Sequence, residues 1–168
     1  MLPIPVSSQE FKDKVNIRFN NILDGFDRFD KFTIDGNLCT SKSEEQIIDF
    51  ILYIFQENNN GCYIDFYLNR LNGTEINNLM NLIDSEYIPL FKSLIEMNHN
   101  DVYYKITDKA LLPFFIKLNT RELFFVTFYF IDKPVTIWGN YNLKFPCFFN
   151  DSDILKKFLD KAEKNELI

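Results

Sequence analysis

The chain has 168 residues, 46% of them hydrophobic, and carries a formal net charge of -6 with a pI near 4.8. That length suits a single domain with a core of its own. The acid excess speaks against a general nucleic-acid binder, which carries a basic face, and favours a partner whose own surface is basic.

In chain order, the start MLPIPV lacks the charged and apolar regions of a secretory signal. Ser7-Ser8-Gln9-Glu10 reads as a capping box. Phe11, Val15, Phe19, Ile22 and Phe26 then recur at helical spacing, predicting a first helix over residues 8–23 with Asp24-Gly25 as its stop. Phe32-Thr33-Ile34 and Asn37-Leu38-Cys39, around Asp35-Gly36, read as a short strand and turn that suit a hairpin. A second capped start, Ser43 with Gln46 behind it, opens a helix through Glu57, its buried face carrying Ile47, Ile48, Ile51, Ile54 and Phe55.

Asn58-Asn59-Asn60-Gly61 breaks that helix, and residues 62–68 read as a strand. Ile64, Phe66 and Leu68 lie on one face of it, with Tyr63, Asp65 and Tyr67 on the other. Thr74 is expected to cap a short helix carrying Ile76, Leu79, Met80 and Ile83. Another helix follows over residues 85–97, with Pro89 near its first turn. Residues 98–101 form a loop, 102–106 a strand, and 108–118 a helix disturbed at Pro113.

Residues 123–131 are apolar on both parities, the pattern of a strand buried on both faces. Asp132-Lys133-Pro134 breaks the run, and further strands follow to residue 149. Asp151 or Asn150 caps a last helix burying Ile154, Leu155, Phe158 and Leu159. The expected fold is α+β in a single domain. Its central sheet is largely antiparallel, built on strands at about 123–131, 134–141 and 143–149, with helices packed on it.

No catalytic motif stands out. His99 is the only histidine and sits in a polar loop, so a histidine metal centre or a nucleophile–histidine pair has little to build on. Cys39, Cys62 and Cys147 are odd in number and far apart, which speaks against a disulfide framework or zinc site and for a reducing cytoplasm. The longest apolar run, residues 123–131, is too short for a membrane helix. The glycines are scattered, so no phosphate-cradling loop or dinucleotide fingerprint forms, and no cofactor is expected. Gly139, beside Trp138, is expected inside a strand at a bulge or close backbone approach.

Carboxylates are the remaining candidates. Asp24, Asp27, Asp30 and Asp35 crowd one region, and Glu44 and Glu45 follow at a helix start. Three readings stay open there: a solvated face, an acidic surface docking a basic partner, or a carboxylate site for a cation or acid–base work. Tyr63, Asp65 and Tyr67 suit an interface as well as a core boundary, and Trp138 with Asn140 and Tyr141 offers a contact point at the sheet's edge.

A small, acidic chain with this aromatic segment, LFFVTFYFIDKPVTIWGNYNLKFPCFF, and with acids from Asp24 to Asp49, resembles the immunity proteins of polymorphic bacterial toxins. The likeness is closest to those of contact-dependent growth inhibition. It is one of profile, with no shared motif to carry residue roles across. The resemblance implies a cytoplasmic inhibitor that performs no chemistry and binds a cognate toxin domain, often a nuclease, to block its active site. Asp24, Asp27, Asp30, Asp35, Glu44, Glu45, Tyr63, Asp65 and Tyr67 are the expected binding residues, with no catalytic or metal-binding ones. A carboxylate-based hydrolase, metal-dependent or not, and a structural or adaptor protein are the alternatives.

Overall fold

A computed structural model describes residues 1–39, 42–97 and 99–168; Asn98, the first residue of the expected 98–101 loop, lies outside them. The strands are β1 (Ile4–Val6), β2 (Asp30–Asp35), β3 (Cys62–Asp65), β4 (Tyr103–Ile106), β5 (Thr127–Phe130), β6 (Val135–Ile137) and β7 (Lys144–Phe149). They form one seven-stranded sheet in the order β1-β4-β3-β5-β6-β7-β2, and every neighbouring pair is antiparallel. The helices are α1 (Ser8–Lys14), α2 (Ile22–Arg28), α3 (Ser43–Glu57), α4 (Gly73–Leu82), α5 (Ile88–Met97), α6 (Leu112–Thr120) and α7 (Ser152–Lys164). The α+β fold with an antiparallel sheet is therefore as expected.

Successive side chains on a strand point to opposite faces, and this sheet uses both. Ile64, Phe128, Ile137 and Cys147 point into the main core, where α3, α5 and α6 contribute Phe50, Ile54, Phe91, Phe114 and Phe115. Tyr63 and Tyr129, one residue out of phase, point the other way and meet Val6, Phe11 and Val15 of the N-terminal segment. Residues 1–29 thus cover the second face. Phe11 stacks on Tyr103 at 3.8 Å, Phe19 stacks on Trp138 at 5.3 Å, and the Thr136 hydroxyl donates to the Ile17 carbonyl at 2.5 Å.

Several boundaries differ from expectation, each for a physical reason. The first helix ends at Lys14, because Val15 and Ile17 turn onto the sheet and are buried there. Asp24-Gly25 is no stop but lies inside α2, where the Phe19 ring packs against Gly25 closely enough that no Cβ fits. No hairpin follows β2: residues Gly36–Leu38 make a single 3-10 turn capped by Asp35. Strand β3 stops at Asp65, and Leu68–Arg70 form another such turn. Asn72, not Thr74, caps α4 in a capping box with Glu75.

The aromatic run is a strand only from Thr127. Before it, Leu123 and Phe124 donate backbone bonds to Leu118 and close α6, while Asn119 takes both backbone groups of Val126. Beyond β6, Gly139 does sit at a close approach, though past the strand rather than inside it: an added Cβ would lie 2.6 Å from Asn119 Oδ1. His99 is not a free loop side chain. It is half-buried, with Nε2 3.2 Å from the Val6 carbonyl and its ring edge-on to Tyr104.

Candidate functional site

The covering of the second sheet face is incomplete. Between α1, the 15–20 segment and α2 the chain leaves a groove of about 490 Å³. Its floor is the sheet itself: Asp65 at the end of β3, Tyr103 of β4, Tyr129 of β5, and Tyr67 and Trp138 just past their strands. Its rim comes from the N-terminal segment, with Lys12 of α1, Arg18, Asn20, and Asp24 and Arg28 of α2. The parity of the strands explains the floor, since Asp65 and Tyr129 occupy the phase opposite the main core.

Asp65 is only 6% exposed. One carboxylate oxygen accepts the Thr127 amide at 2.7 Å and the other the Tyr129 hydroxyl at 3.0 Å. Burial disfavours its charged form and outweighs these hydrogen bonds, pushing its pKa up to about 6. Burial and the nearby Asp65 carboxylate raise the Tyr67 and Tyr129 hydroxyls in turn. Tyr103 is raised by burial first, then by Tyr67 and Asp65. The floor is therefore a carboxylate ringed by phenols.

At the rim, Lys12, Arg18 and Arg28 are exposed and form no ion pair among the described residues. Arg18 donates to the Val15 carbonyl, and the Arg28 guanidinium lies 5.2 Å from the centre of the Phe29 ring. Against the acid excess of the whole chain, this concavity collects cations.

Compared with known proteins, the chain matches no family model, no curated protein and no solved structure. The geometry alone has to carry the reading.

Of the residues singled out from sequence, the groove brings together Asp24, Asp65 and Tyr67, with Trp138 beside them. Tyr63, on the same sheet face, is buried against Phe11 beneath α1. Asp27 and Asp30 lie outside the groove, exposed on α2 and at the start of β2, around a shallow concavity with Phe26 and Phe29. Asp35 is held at the far end of β2, accepting the Asn37 amide at 2.9 Å and pairing with Lys144 at 3.3 Å. Glu44 meets Arg121 twice, Oε2 to Nε at 3.0 Å and Oε1 to Nη2 at 2.9 Å, and also accepts from Thr120. Partial burial opposes its ionisation, but the Arg121 and Thr120 hydrogen bonds prevail and hold its carboxyl below the usual range. Glu45 makes an exposed pair with Lys42 at 3.0 Å.

Among the described residues no group of three His, Cys, Asp or Glu side chains is placed to hold a metal ion. His99 borders a separate concavity whose other lining residues, among those described, include no serine, cysteine or carboxylate. Sequence reasoning missed Lys12, Arg18, Arg28, Tyr103 and Tyr129. Tyr129 falls within the run that reads as a strand buried on both faces, and the cations lie 37 to 53 residues from Asp65 in the chain, with no periodic signal linking them.

Proposed function

We propose that this chain is a cytoplasmic immunity protein, a binding protein that neutralises a nuclease-type bacterial toxin domain by covering its active site. The carrying observation is that Asp24, Asp27 and Asp30 stand exposed along one continuous stretch with no ion pair among the described residues. Half-exposed Phe26 and Phe29 lie beside Asp27 and Asp30 around the shallow concavity there. A nuclease cleft is cationic because it holds phosphates, so unpaired carboxylates suit it as a substitute for the substrate. Long-range attraction then speeds encounter, and aromatic side chains hold the complex once water is excluded.

A carboxylate-based enzyme is the second reading, and it rests on Asp65, whose raised pKa beside a cleft is a feature of acid–base sites. Both Asp65 oxygens already accept protein hydrogen bonds, which suits a structural or binding carboxylate equally well.

The test is to express the gene directly upstream with and without this one. Growth arrest relieved by this chain, with co-purification of the two products, is the expected result. Failure to protect against any neighbouring product would overturn the inhibitor reading. Protection retained by Asp65→Asn would set the enzyme reading aside.

A further inference from the structure

The groove sets three chemistries in order from mouth to floor. Its rim carries Lys12, Arg18 and Arg28 against the single carboxylate of Asp24. Its sides carry the half-exposed rings of Tyr67, Tyr103 and Trp138, and its floor carries the buried Asp65. A cationic ligand would meet three positive charges on entry. An apolar one would strip water from the half-exposed Tyr67 and Tyr103 hydroxyls and from the cationic rim without offering them a partner. A bare anion would be held at the rim and use nothing below it. What uses all three is a molecule with an anionic end, a planar ring, and N–H donors on the ring's far edge.

We propose that the groove is a nucleotide site, in which a phosphate lies among Lys12, Arg18 and Arg28, the base lies against Tyr67, Tyr103 and Trp138, and base N–H groups donate to Asp65. The volume of about 490 Å³ is in the range of small-ligand clefts. A carboxylate has about four acceptor positions, and beyond the Thr127 amide and Tyr129 hydroxyl only the weaker contacts of the Thr127 side chain and the Asp65 amide compete with a ligand for the rest. A base offering two adjacent N–H donors satisfies a carboxylate best, which selects guanine over adenine. Base–aromatic stacking and phosphate contacts supply affinity without distinguishing the bases. The site goes beyond the inhibitor reading and uses the chain alone, so its failure and the failure of toxin protection are read in separate assays.

Trp138 is the only tryptophan and lines the groove, so its fluorescence reports occupancy directly. The chain is titrated at low salt with guanosine 5′-monophosphate, adenosine 5′-monophosphate, guanosine and inorganic phosphate. The expected result is a saturable change with the guanine nucleotide, weakened by salt and about tenfold tighter than with the adenine one. Arg18→Ala with Arg28→Ala, both exposed positions, should weaken binding of the guanine nucleotide about tenfold or more with an unchanged far-UV spectrum. Asp65→Asn should remove the preference between the bases. No saturable change with the guanine nucleotide up to about 5 mM would overturn the site. So would an equal response to inorganic phosphate, or a double arginine variant that binds as the parent does.

Discussion

Asn119 holds Val126 by both of its backbone groups: its Nδ2 donates to the Val126 carbonyl at 2.8 Å and its Oδ1 accepts the Val126 amide at 2.7 Å. A side chain here takes the place of a neighbouring strand for the residue that leads into β5. All four atoms are buried, so Asn119→Ala leaves two backbone groups without partners and should destabilise by about 2–4 kcal/mol. Urea unfolding measures it, and a loss below about 1 kcal/mol would contradict the role.

Gly139 completes the same unit. A Cβ there would lie 2.6 Å from Asn119 Oδ1 and 2.7 Å from the Val126 carbonyl, and its backbone is not in the left-handed region, so space alone demands glycine. Gly139→Ala should cost about 2 kcal/mol or more by overpacking. Because the two sites share atoms, the double variant with Asn119→Ala should lose clearly less than the sum.

Asp65 makes stability depend on pH in a defined direction. Its pKa rises from an ordinary 3.8 to about 6 on folding, so between those values the folded chain holds a proton that the unfolded chain has released. Stability from this group is therefore greatest at acid pH and falls as pH rises towards 6, by about 3 kcal/mol in all. Other carboxylates pull the opposite way, so the parent is compared with Asp65→Asn. The parent should gain on the variant, on the order of 1 kcal/mol per pH unit, as pH falls from 6 to 4. A difference that stays flat would contradict the buried, raised carboxyl.

Glu44 and the Asp24, Asp27, Asp30 group should separate in a binding experiment. Glu44→Gln weakens the Arg121 contact and should lower stability by at most about 1 kcal/mol, since both partners are about a third exposed, while toxin association is unchanged. Changing Asp24, Asp27 and Asp30 together to Asn should leave stability near the parent's but slow association and flatten its salt dependence. Stopped-flow kinetics at two salt concentrations decides it, and unchanged rates in the triple variant would remove these residues from the interface.

The centre of the fold was legible because two-sided burial leaves a local mark. Residues 123–131 are apolar on both parities, and the part that becomes β5 is buried at every position. Helix α3 likewise spans the residues its periodicity marks, although Ser43, expected to cap it, is its first helical residue and Lys42 precedes it without a side-chain capping bond. The N-terminal segment departs from its helical spacing because tertiary contacts override it: Phe11, Val15 and Phe19 fit a helix, but Ile17 and Phe19 are worth more against Thr136 and Trp138 than in a continued one. The groove was legible only in pieces. Asp65, Tyr67 and Trp138 were each noticeable as single residues, but their convergence depends on a sheet order that brings β3, β5 and β6 together. The arginines at its rim arrive from another part of the chain altogether.

Both outer strands of the sheet, β1 and β2, come from the first thirty-five residues, whereas the five strands between them span residues 62–149. Strand β1 must wait for β4, about a hundred residues later, and β2 for β7, more than a hundred residues later. On the ribosome the N-terminal segment therefore emerges well before the strands it docks on. Until residues 103–138 have been made, Phe11, Val15, Ile17 and Phe19 have no complete face to cover, and the groove walled by that segment cannot exist. Formation of the groove is thus a late event of folding, and chaperone protection of the nascent N-terminal segment should matter more for yield than protection of any helix.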